Sequence, residues 1–123
     1  MIDICPSEAL ADGGRGVRFD VCVAGRVVPA FVVRFGGVAR AYLNRCAHVA
    51  MELDWQPGEF FDFDAEHLVC STHGALYDPA SGRCVGGACA GRGGLRALKV
   101  IEQDGRVAWE PDGYAQATPG NVG

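Results

Sequence analysis

At 123 residues the chain fits one domain with a modest core and leaves little room for a second catalytic domain. Hydrophobic residues make up 49% and charged residues 21%, which excludes a disordered polymer, while 18 Gly and 6 Pro suit a turn-rich β domain better than a helical bundle. The formal net charge of −4 argues against non-specific nucleic-acid binding, and no apolar run is long enough to span a membrane.

Met1-Ile2-Asp3-Ile4-Cys5-Pro6 has neither the basic start nor the apolar block of a signal peptide, so a cytoplasmic location is expected. This entry reads as irregular, followed by one helical turn at Ser7–Leu10. Val17, Phe19, Val21 and Val23 then alternate with Arg18, Asp20 and Cys22, the period of a half-buried strand. After a turn at Gly25-Arg26, residues 27–35 form a second strand, which Pro29 would place near an edge or bulge. Gly36-Gly37 is a hairpin signal, and residues 38–43 make the third strand of an antiparallel meander.

From Cys46 to about Gly94 the pattern changes to frequent turns and short strands, expected at 60–63, 68–70, 76–77 and 83–85. Asp78-Pro79-Ala80-Ser81-Gly82 is a turn by residue type. Alternation returns at 95–101 and 106–110, a closing hairpin around Asp104-Gly105. The Gly-, Pro- and Ala-rich end is expected to be loose or weakly docked. The organisation is one domain over 1–112, with an insert at about 44–90 and a tail at 113–123.

Two clusters in the insert carry chemistry: Cys46-Ala47-His48 and Cys70-Ser71-Thr72-His73-Gly74. Each follows a strand-like stretch, Ala41-Tyr42-Leu43 and Leu68-Val69, so two loops can clasp an object between their tips. Two Cys and two His can hold a tetrahedral zinc, and they can also hold an iron–sulfur cluster. His67 reads as a polar loop residue. With no further histidine, a mononuclear iron centre of the two-His, one-carboxylate type is excluded within this chain.

The pairing of C-x-H with C-x-x-H-G, and the run from Cys70 through Ala75-Leu76-Tyr77-Asp78-Pro79 to Gly82, resembles the Rieske family. The resemblance is strong from about Tyr42 to Gly87, and the flanking strand pattern extends it. It implies an all-β fold of stacked antiparallel sheets with a smaller cluster-binding subdomain, holding one [2Fe–2S] cluster per chain. By that resemblance Cys46 and Cys70 ligate the inner iron, and His48 and His73 the outer one. Two ferric ions, two sulfides, two thiolates and two neutral imidazoles sum to zero charge, which favours electron uptake and sets potentials of roughly −150 to +300 mV.

High-potential members carry an extra cysteine in each loop and a serine near a bridging sulfide. Here those positions are Met51, Thr72 and Ala75, while Tyr77 stands where the family's tyrosine donates to a ligand-cysteine sulfur. The lower part of the range is therefore expected. Cys84 and Cys89 flank the glycine-rich stretch where the family often has a proline-containing cover loop, and in a reducing compartment free thiols are expected in preference to a disulfide between them. Trp55, Phe60, Phe61 and Phe63 are expected to pack in the subdomain core. Met51 and Leu53 are candidates for an apolar docking rim. Glu52, Asp54, Glu59, Asp62, Asp64, Glu66 and Asp78, with no Lys or Arg between Cys46 and Gly82, suggest an acidic face that steers a basic partner.

The resemblance implies a one-electron ferredoxin between a flavin reductase and a terminal enzyme such as an oxygenase, with no substrate site of its own. Alternatives are a small accessory Rieske subunit of a reductase complex, or a zinc-stabilised interaction module. The sequence does not fix the oligomeric state.

Overall fold

The computed structural model describes residues 1–45, 52–54, 56–70, 74–89 and 91–118. The large sheet is built from β1 (Ile2–Pro6), β2 (Val17–Val23), β3 (Arg26–Phe35), β4 (Val38–Leu43), β8 (Ala97–Gln103), β9 (Arg106–Glu110) and β10 (Ala115–Gln116). Between β4 and β8 lie the short strands β5 (Leu68–Val69), β6 (Leu76–Tyr77) and β7 (Cys84–Gly86). The orders are β1-β9-β8-β4-β3-β2-β10 in a seven-stranded sheet and β5-β6-β7 in a three-stranded one. All strand pairings within both sheets are antiparallel. This is the expected all-β arrangement with a smaller inserted sheet.

The meander follows from local chemistry. Gly36 and Gly37 have φ of 62° and 80°, so the two-residue turn joining β3 to β4 matches the right-handed twist of the strands. The sheet curls until its ends face each other. Phe19 on β2 and Trp109 on β9, with three strands between them in the sheet, bring their ring centroids to 6.0 Å. Inside the curl lie Val21, Val28, Ala30, Val32, Leu43, Val107 and Trp109.

β3 explains how the second sheet is held. Val28, Ala30 and Val32 face the curl, whereas Phe31 and Val33 face the inserted sheet with Tyr42 of β4. A strand buried on both sides reads as a nearly continuous apolar run. Phe31 stacks on Phe60 at 3.9 Å and 12°, and the buried Tyr42 hydroxyl donates to the Pro79 carbonyl at 2.7 Å. Apolar and polar contacts of this kind fasten the insert to the framework.

Several expectations are corrected. Residues 2–6 are a strand, not an irregular entry. A register shift between Asp3 and Cys5 breaks the alternation, so Ile2 and Cys5 are both buried at a spacing that period two does not predict. Pro29 lies in a central strand rather than at an edge. Its carbonyl accepts from Asn44 N–H (2.8 Å), so its nitrogen faces the same side, just past the end of β4, where no ladder donor is needed. Residues 60–63 form no strand. Phe61 makes a single bridge to Leu68, and Phe63 is fully exposed instead of packed. Beside these corrections, the tail is docked as far as 116, one of the two expectations for it: Ala115 is buried against β2, and the Asp112 carboxylate accepts from the Tyr114 and Ala115 N–H groups at 2.7 and 2.8 Å.

Arg34 of β3 fastens the N-terminal segment to the closing hairpin. Its guanidinium donates to both Glu102 carboxylate oxygens (3.0 and 2.7 Å) and to the Leu10 carbonyl (2.9 Å). The hydrogen bond from Arg34 holds the Glu102 carboxyl down to about 2.

Candidate metal centre

Of the four expected ligands, Cys70 lies among the described residues, and Cys46, His48 and His73 lie outside them. Cys70 follows β5 directly. Its N–H donates to the Ala75 carbonyl (2.9 Å), and its carbonyl accepts from Gly74 N–H (2.7 Å). Gly74, at φ 73°, adopts the left-handed conformation that glycine takes without strain. These bonds pin Cys70 and Gly74, the ends of the second Cys/His segment, to β5 and β6. Cys70, Ala75 and Tyr77 are fully buried in one apolar cluster with Leu53, Phe60 and Leu68. A thiolate there is shielded from water, and Tyr77, paired in register with Leu68, puts a phenol in the same core.

Residues flanking the first Cys/His segment are stapled together by a buried polar network that sequence reasoning missed. Asn44, just beyond β4, is 1% exposed, and Asp54 is 6% exposed. The Asn44 amide oxygen accepts from Leu53 N–H (2.7 Å), and its amide nitrogen donates to the Asp54 carboxylate (2.8 Å). The other Asp54 oxygen accepts from Gly58 N–H (2.9 Å), with an Arg18 guanidinium nitrogen 3.7 Å away. Asn44 and Leu53 bracket the Cys46–Met51 segment, so one side chain closes both ends of the loop that carries Cys46 and His48. Asn44 and Asp54 have no spacing signal of their own and read as ordinary turn residues.

The cover beside the second loop also differs from expectation. Cys84 and Cys89 form a disulfide, not two free thiols. Both are buried, at 3% and 6% exposure, which shields the bond from solvent thiols. β7 and the following turn bring the two sulfurs together, a proximity that composition does not encode.

The acidic run is largely engaged. Glu52 pairs with Arg18, Glu59 with Arg15 at 3.7 Å, and Asp62 with His67 at 3.3 Å. Asp78 caps its own turn, accepting from Ala80 N–H and the Ser81 hydroxyl, both at 3.0 Å. Among the described residues Asp64 and Glu66 alone of the seven carry no such partner. Leu53 is fully buried, so it is not part of a docking rim, and Met51 and Trp55 lie outside the described residues.

Among the described residues no three His, Cys, Asp or Glu side chains gather into a metal site. What they supply is the surroundings of one: a buried cysteine directly after β5, an apolar lining, a phenol in the same core, and a polar staple at Asn44 and Leu53.

The Rieske [2Fe-2S] domain family model matches residues 1–102. A comparison with curated protein sequences finds no match. Among solved structures, the ferredoxin of carbazole 1,9a-dioxygenase from Nocardioides aromaticivorans IC177 superposes with a TM-score of 0.69 at 23% identity, over 90% of this chain and 97% of that one. The Sphingomonas yanoikuyae B1 ferredoxin gives 0.64 at 20% identity, over 89% and 97%. The terminal oxygenase of carbazole 1,9a-dioxygenase from Novosphingobium sp. KA1 gives 0.66 at 22%, over 87% of this chain but 28% of that one. These likenesses carry the fold, and the family match carries the cofactor, a [2Fe–2S] cluster. The chain belongs to the Rieske [2Fe–2S] domain family.

Proposed function

We propose that this protein is a ferredoxin that carries single electrons from a flavin reductase to a terminal enzyme of the oxygenase type, in the cytoplasm, and transforms no substrate itself. The reading is carried by the family match over 1–102 together with a superposition that spans nearly the whole of a dioxygenase ferredoxin. Among the described residues no helix is long and apolar enough to cross a membrane. The histidine count adds support: apart from His48 and His73 the chain has only His67, which bonds Asp62.

Cys46, His48, Cys70 and His73 would hold the cluster, which when bound takes up and releases one electron at a time. The chain's own residues set the conditions. Burial of Cys70 keeps water from its sulfur. Tyr77 is the candidate donor to a ligand sulfur, which would stabilise the more negative reduced state. Ala75, fully buried, offers no hydroxyl where high-potential members have one. The balance favours the lower part of the Rieske range.

The test is anaerobic purification followed by spectroscopy and voltammetry. A brown protein with a rhombic EPR signal on reduction is expected, with a midpoint below about +150 mV. Cys70→Ser and His73→Ala should each abolish the signal. A colourless protein holding one zinc ion would overturn the reading. A stable complex with a larger enzyme would replace the mobile carrier with a resident subunit.

A further inference from the structure

The segment 84–89 packs against Gly74 and Ala75, directly after the second Cys/His motif, and the contact is close. A Cβ placed on Gly87 would meet the Gly74 carbonyl oxygen at 2.0 Å and the Ala75 Cα at 3.1 Å. The backbone of the cover therefore presses directly on the residue that follows His73. Gly87 has φ 73°, so glycine serves both the approach and the conformation. A Gly-Gly pair gives no rigidity of its own.

Rigidity comes from the bond that brackets it. Cys84 and Cys89 are joined around Val85-Gly86-Gly87-Ala88. One end of this short ring is held in the sheet: Tyr77 pairs with Cys84, Leu76 pairs with Gly86, and Cys84 N–H donates to the Gly93 carbonyl (2.9 Å). The other end is held by Arg92 N–H donating to the Cys89 carbonyl (2.9 Å) and Gly91 N–H donating to the Cys84 sulfur (3.2 Å). Both cysteines belong to the apolar cluster that contains Cys70.

We propose that the Cys84–Cys89 disulfide is a covalent strap that seats Gly87 on Gly74 and so positions the Cys70–His73 loop, making cluster retention depend on a bond remote from the ligands. The strap takes the place of intrinsic backbone stiffness. Without it the glycine-rich cover has many conformations, and Gly74 loses the wall that confines it. This inference rests on the ligand assignment of the second loop. The bond itself is tested separately from that assignment.

The experiment uses the full-length holoprotein. Denatured, cluster-free protein is alkylated with and without prior reduction. Four modified thiols without reductant and six with it are expected from six cysteines and one disulfide. Six in both cases overturns the strap, whatever the cluster does. Cluster loss into excess chelator is then followed by visible absorbance and reduced-state EPR in the wild type, Cys84→Ser/Cys89→Ser and Gly87→Ala. Removing a cross-link around so short a loop should speed loss on the order of tenfold. Gly87→Ala should speed it comparably while leaving the thiol count at four, because it unseats the cover without cutting the bond. Far-UV circular dichroism of both variants should match the wild type. Wild-type loss rates in the double variant, or faster loss accompanied by collapse of the β spectrum, would overturn the proposal. A wild type without a cluster signal would instead refute the function proposed above.

Discussion

Replacing Asn44 with Ala should destabilise the protein severely and release its cluster, although Asn44 is not a ligand. The side chain serves two buried groups at once. Its loss leaves Leu53 N–H without its 2.7 Å acceptor and deprives the Asp54 carboxylate of a 2.8 Å donor. At 1% exposure, water cannot replace Asn44 without opening the loop. A stranded buried N–H costs about 1–3 kcal/mol, and a lost hydrogen bond to a charged group about 1.5–3 kcal/mol. Asp54 keeps Gly58 N–H and the neighbouring Arg18, so its part falls at the lower end. The sum is about 2.5–4.5 kcal/mol, a large share of a typical domain stability of roughly 5–15 kcal/mol. Urea unfolding followed by Trp fluorescence reads the stability, and chelator-driven bleaching reads the cluster. Asn44→Asp separates the two contacts: it keeps the acceptor for Leu53 but sets a carboxylate against Asp54, and should be no milder than Asn44→Ala. An Asn44→Ala variant within about 0.5 kcal/mol of wild type and bleaching at the wild-type rate would refute the staple.

Acid should weaken the Arg34–Glu102 fastening. The Glu102 carboxyl is held to about 2 against an ordinary 4.5, so its contribution is present above pH 4.5 and is lost as pH falls through about 2. The pair is partly solvent-facing, so the amount is about 1 kcal/mol, less than the shift alone would imply. Urea midpoints between pH 5 and 2 should therefore fall less steeply in Glu102→Gln than in the wild type. Parallel curves would contradict this assignment. Tyr42→Phe removes the buried hydroxyl that donates to Pro79 and should cost about 1–2 kcal/mol. The same substitution should quicken amide exchange at Gly82 and Arg83 more than in β2, because the inserted sheet loses its polar fastening to the framework. Equal changes in both places would argue against that division.

Much of this molecule is legible without coordinates. The β2–β3–β4 meander and the closing hairpin follow from period-two alternation and from glycines at two-residue turns, both consequences of local backbone sterics. The two Cys/His pairs are short-range patterns, visible because each sits within four residues of chain. Features that depend on which distant segments meet escape such a reading. The bulge in β1 hides a strand from any alternation rule. Phe63 and Leu53 exchange their expected places, one exposed and the other buried, because loop direction decides burial there. Arg15 and Arg18, far from the acids in sequence, neutralise much of a face that seems uniformly negative. The staple at Asn44 and the strap at Cys84–Cys89 belong to the same class. The sequence by itself determined the two short Cys/His patterns proposed to hold a cluster, since residue chemistry and local spacing are properties of short segments. The tertiary structure decided what holds those segments in place, because buried hydrogen bonds and cross-links exist only once remote parts of the chain are brought together.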